Sequence, residues 1–134
     1  MTDNLVQFLA KNQIQDMEQE VKIGGRLKDF TFKIKPITQD QFNRYQRICT
    51  TFGKDGKSAK FDNGKFTQLV ILNHVIEPNF RSTEVLATVS CNTPEEYLNK
   101  VFLPGEIGEL SNKISEISGF GTTDEELEIE VKNF

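Results

Sequence analysis

Four prolines, at positions 36, 78, 94 and 104, cut this chain into pieces that no single helix or strand can bridge. Proline has no N–H to give to a sheet ladder, and inside a helix its ring clashes with the preceding turn. Each proline must therefore end an element or sit in the first turn of one, and its neighbours decide which. Pro36 follows Phe30, Phe32 and Ile34, which alternate with Thr31, Lys33 and Lys35, so it closes a half-buried strand. Pro78 follows an apolar run from Phe66 to Ile76 (Phe66, Leu69, Val70, Ile71, Leu72, Val75, Ile76) that covers most of a helix circumference. That run predicts the central, most buried helix. Pro94 stands between a capping Thr93 and the Glu95-Glu96 pair, and Pro104 stands just before Glu106. Both are preset for a first helical turn.

The remaining elements fit between these marks. Leu5, Val6, Phe8 and Leu9 after Asp3 predict a short amphipathic helix that opens the domain. Val21 and Ile23 alternate with Glu20 and Lys22, and with the Phe30–Ile34 run they predict a β-hairpin turning through Gly24-Gly25-Arg26-Leu27-Lys28, one face buried. Thr38-Gln39-Asp40-Gln41 reads as a capping box. The helix it starts would carry Phe42, Tyr45, Ile48, Cys49 and Phe52 on one stripe and end at Gly53. Gly53 to Lys65 has three glycines and neither period, which predicts a loop. Val85, Leu86 and Val89 after Ser82 suit a short helix or a strand. Tyr97, Leu98, Val101 and Phe102 form the stripe of the helix opened by Pro94, and Ile107, Leu110, Ile114 and Ile117 that of the helix opened by Pro104 and closed by Gly119. Thr123 can cap a last helix in which Leu127, Val131 and Phe134 share a face. The expected fold is α+β: a mainly helical single domain over residues 1–121 with an N-terminal β-hairpin, followed by an acidic tail or terminal helix at 122–134.

Chemistry is sparse in this pattern. The single histidine, His74, falls inside the apolar helix, and with Cys49 and Cys91 it offers scattered ligands rather than a metal set. The two cysteines form no C-x-x-C pair, nothing points to an oxidising compartment, and their spacing leaves a bridge between them open. Gly105 and Gly108 in LPGEIGELSNK match neither the phosphate-loop nor the dinucleotide spacing. We therefore expect no catalytic, cofactor-binding or metal-binding residues, and no enzyme. Net charge is −4, and the acids Asp124, Glu125, Glu126, Glu128 and Glu130 concentrate it at the C-terminus, which argues against a general polyanion binder. Lys54, Lys57, Lys60 and Lys65 interleave with Phe61 and Phe66, a pattern single-stranded nucleic acid can use. Asp55 and Asp62 dilute it to +2, and we read a solvated loop and no nucleic-acid partner. No stretch has the length of a membrane span, and the N-terminus lacks a basic segment before an apolar run. A protein of the cytoplasm that acts through its surfaces is the expectation.

The order of motifs resembles a known family, the XkdN-like tail assembly chaperones of long-tailed phages, prophages and phage-tail-like bacteriocins. LPGEIGELSNKISEISGF is similar to that family's leucine-proline-glycine-glutamate box, here Leu103 to Glu106, and to the helix end that falls here at Glu116 to Phe120. FTFKIKPIT (Phe30 to Thr38), the helix from Phe42 to Thr50 with Cys49 near its end, and VIEPNFRSTEV (Val75 to Val85) follow in the family's order. The resemblance implies a non-enzymatic role in the bacterial host cytoplasm: binding the tape measure protein, keeping it soluble while the tail tube forms, and leaving. It also implies a possible longer form made by ribosomal frameshifting, and self-association. Partner-binding candidates are the stripe Ile107, Leu110, Ile114 and Ile117 and the terminal face Leu127, Val131 and Phe134. The competing expectation is a structural virion component, such as a tail-completion or connector protein.

Overall fold

The computed structural model describes residues 2–120. At its centre a three-stranded antiparallel sheet lies against a bundle of helices. The first helix, α1 (Thr2–Lys11), leads to β1 (Gln19–Val21), which pairs with β2 (Phe32–Ile34) so that Gln19 faces Ile34 and Val21 faces Phe32. This is the expected hairpin. Val21, Ile23, Phe32 and Ile34 are buried while Glu20 and Lys22 face water. Phe30 departs from the expectation: the ladder starts only at Phe32, and Phe30 sits in a turn with 62% of its surface exposed.

Thr38 caps α2 (Gln39–Cys49) as a full capping box: its Oγ1 accepts from the Gln41 N–H at 3.1 Å, and the Gln41 Oε1 accepts from the Thr38 N–H at 3.0 Å. The helix then ends four residues before Gly53. Thr50, Thr51 and Phe52 are β-branched or aromatic, and they leave the helix as β3 (Thr50–Phe52), paired antiparallel with β4 (Ala59–Phe61). Phe52 therefore lies on a strand, 72% exposed, rather than on the helix stripe. The expected Gly53 to Lys65 loop is in fact a second hairpin plus the start of the next helix. Asp55 nucleates its turn by accepting from the N–H groups of Lys57 and Ser58 and from the Ser58 hydroxyl, which holds its carboxyl down to about 2. A local side-chain turn of this kind has no periodicity for a pattern search to find.

Asp62 caps α3 (Asn63–His74) through the Lys65 N–H, and α3 is the central helix, packed against α2, α5 and α6. It stops at His74 instead of running to Ile76. Val75 and Ile76 switch to β5 (Val75–Glu77), because β2 offers an open edge and Pro78 removes the next donor; Ile34 faces Val75 across that ladder. Then come α4 (Thr83–Ala87), α5 (Pro94–Val101) and α6 (Pro104–Ser115), followed by a wide turn, Glu116–Phe120, in which Gly119 takes φ +87°. Ile34, Ile71, Leu110 and Ile114 are fully sealed from solvent, and Val70, Phe80 and Leu98 almost so. The core is the seam where α3 and α6 meet the sheet.

Candidate functional site

The LPGEIGE segment is a structural corner. Pro104 starts α6, and the Glu106 carboxylate reaches back to accept from the Leu103 N–H at 2.7 Å, the half of a capping box that a leucine cap permits. The same carboxylate is gripped by Arg26 from the distant hairpin turn, with Nε and Nη2 each 2.8 Å from a separate oxygen. Arg26 also donates to the Val101 carbonyl, and the Glu109 carboxylate accepts from the Gly24 N–H at 2.9 Å. Glu106 is nearly buried, and its hydrogen bonds from Arg26 hold it below the usual carboxylate range despite that burial; Arg26 is raised in turn. The two acids thus bind the hairpin turn to the α5–α6 corner. From the sequence alone Glu106 has a sufficient local reason in the dipole of the helix it opens, and a partner 80 positions away leaves no local signal.

That corner shapes a groove of about 810 Å³ between α3, α5 and α6. Leu72 and Leu98 lie buried at its floor, and Leu69, Phe102 and Ile107 wall it half-buried. Phe102 is held edge-on against Phe80, centroids 5.5 Å apart, within a cluster that includes Tyr97. The rim is polar: Gln68 donates to Asn99 at 3.1 Å across it, with Asp62, Lys65 and Glu95 alongside. Apolar walls and a mixed-charge rim suit one face of an amphipathic helix, the arrangement by which grooves take helical partners.

Of the first candidate stripe, Leu110 and Ile114 are fully buried core residues, while Ile107 and Ile117 are half-buried against the core; Ile107 alone among the four lines the groove. Leu127, Val131 and Phe134 lie outside the described residues. His74 closes α3 inside the core, its Nε2 2.9 Å from the Tyr45 hydroxyl and its Nδ1 without a hydrogen-bond partner. Burial, with the nearby charge of Lys35 adding to it, pushes the imidazole down to about 4, so the ring is neutral at ordinary pH and shut away from any substrate. Cys49 and Cys91 are both free and buried. Among the described residues no group of three or more His, Cys, Asp or Glu side chains gathers as a metal site, and no helix is long and apolar enough to cross a membrane.

A small α+β domain with an apolar groove between its helices has the form of a binding and assembly protein. Comparison with known proteins gives the particular family. Residues 5–132 match the family described as phage XkdN-like tail assembly chaperone protein, and the chain belongs to it. It is 30% identical to the phage-like element PBSX protein XkdN of Bacillus subtilis (strain 168) over 94% of this chain and 91% of that protein. It is 27% identical to the uncharacterized protein YqbN of the same strain, with the same coverage. The crystal structure of YqbN superposes with a TM-score of 0.64 at 26% identity, over 84% of this chain and 93% of that one.

Proposed function

We propose that this tail assembly chaperone binds the tape measure protein in the bacterial cytoplasm and keeps it soluble until the tail tube encloses it. The observation that carries the reading is the α3–α5–α6 groove in a domain of this family. A long helical protein awaiting assembly exposes apolar stripes that would otherwise associate with each other. A groove floored by Leu72 and Leu98 covers one such stripe, and its modest size favours contacts that release. Ile107 meets the partner directly in this reading, whereas Leu110 and Ile114 act by fixing α6.

Co-expression with the tape measure protein of the same tail operon, followed by size-exclusion chromatography with light scattering, tests it. A soluble complex with several copies of this chain supports the proposal, and a Leu69→Glu/Ile107→Glu variant that stays folded must lose it. The mass of each component also reports whether a longer frameshifted form takes part. An aggregated tape measure with this chain eluting alone sinks the reading, and finding the chain at fixed stoichiometry in purified tails moves it to the virion-component role.

A further inference from the structure

The helix α1 is amphipathic, and no described residue covers its apolar face. Leu5, Val6, Phe8 and Leu9 fall within one half of its circumference and are 57–62% exposed, an arrangement that water disfavours unless something seats on it. Below its C-terminal end a groove of about 670 Å³ runs between Leu9, Ile14, Pro36, Thr38, Gln41 and Ile76. The described chain ends beside this groove. Ile37 donates its N–H to the Ser118 hydroxyl at 2.8 Å, and Phe120 packs on Phe42 with centroids 5.5 Å apart, so Phe120 ends next to the Pro36–Thr38 wall. Gly119, at φ +87°, has already turned the chain out of the α6 direction.

Fourteen residues, 121–134, follow Phe120. They contain Leu127, Val131 and Phe134 at spacings of four and three, and five acids against one lysine, so they carry the entire formal charge of −4. At helical rise such a segment spans about 20 Å and α1 about 15 Å, so the reach is sufficient. The cations at hand are Lys11 in the last turn of α1 and Lys35 in the groove wall, while the groove's acid, Glu18, is engaged by Lys33 at 3.1 Å. We infer that residues 121–134 seat their Leu127, Val131 and Phe134 face on the Leu5, Val6, Phe8 and Leu9 face of α1 in the same molecule, continuing along the groove that begins at Pro36. An exposed apolar stripe and the apolar residues of a segment that begins beside it satisfy each other, and in this arrangement the acids face Lys11, Lys35 and water.

Hydrogen exchange of the full-length protein, read by mass spectrometry, tests this in wild type and in a Leu127→Asp/Val131→Asp variant. Both changes lie outside the described residues, and exchange in the sheet and the α2–α6 body reports whether folding is intact. Expected is an exchange rate at residues 4–11 at least about tenfold faster in the variant, with the body unchanged. The reciprocal Leu5→Asp/Leu9→Asp variant must speed exchange over residues 121–134. Equal rates at α1 in wild type and variant overturn the inference. So does protection of α1 that grows with protein concentration, because the cover is then a second copy. No tape measure protein is present, so this outcome is independent of the groove between α3, α5 and α6.

Discussion

Both α1 and α6 repeat apolar residues at intervals of three and four, yet Leu110 and Ile114 of α6 are wholly buried while Leu5 and Leu9 of α1 are more than half exposed. Local pattern is nearly the same in both. What differs is tethering. α6 starts at a proline, is clasped at its first turn by Arg26 through Glu106 and at its second by Gly24 through Glu109, and lies against α3. α1 has no such clasp among the described residues and is followed by seven residues that hold only a short 3₁₀ turn. Periodicity tells which face a helix must bury, and long-range hydrogen bonds decide against what.

The sharpest way to break that contrast is to truncate equivalent leucines. Leu110→Ala leaves a cavity in a seam that is otherwise closed, and it should cost about 2–5 kcal/mol in urea unfolding. Leu5→Ala removes a side chain that is already 58% exposed and should cost about 1 kcal/mol or less. Costs of equal size would mean that α1 is as firmly packed as α6.

A second test uses His74, the chain's single histidine, which is buried in the core. Neutral His74 in the fold binds its proton near pH 4, against about 6.5 when unfolded, so the unfolded state holds more protons between those values. Stability is fully present above about pH 6.5 and falls as pH drops toward 4, by up to about 3 kcal/mol. Carboxylates act lower: Glu106 and Asp55, both depressed by their hydrogen bonds, contribute stability above their ordinary range and lose it as pH falls through the depressed one. Urea midpoints at pH 7 and pH 5 therefore differ mainly through His74, and the difference should shrink in His74→Asn. An unchanged difference would show that another group titrates there.

Much of this fold was legible because its punctuation is local. Thr38-Gln41, Thr93-Pro94 and Pro104 start helices where the residues say they should, and the alternation around Val21 and Ile34 gives the hairpin. Three of the departures share one cause. Phe52, Val75 and Ile76 carry helix-compatible spacing, but partner strands claimed them, and a strand partner is a non-local fact. The groove was illegible for the same reason: Leu69, Phe102 and Ile107 each look like ordinary stripe residues, and only the Arg26–Glu106 and Gly24–Glu109 contacts set the corner that opens space between them. The resemblance supplied the class of function without the location of the site.

Capping offers a finer contrast, between an N-terminus closed by its own side chain and one closed from elsewhere. Thr38→Ala removes a reciprocal box and should cost about 1 kcal/mol, with α2 fraying at its first turn. Leu103 has no side-chain acceptor to lose, so Leu103→Ala should leave the α6 start intact, because Glu106 still takes the residue-103 N–H and Arg26 still holds Glu106. Amide exchange at residues 39–41 and 105–107 separates the two. Faster exchange in the first set after Thr38→Ala, with the second set unmoved by Leu103→Ala, places the closure of α6 on Glu106 and its distant arginine. Loss of protection at 105–107 after Leu103→Ala would instead mean that the half-exposed leucine packs the corner shut, and the electrostatic clasp would be secondary to it.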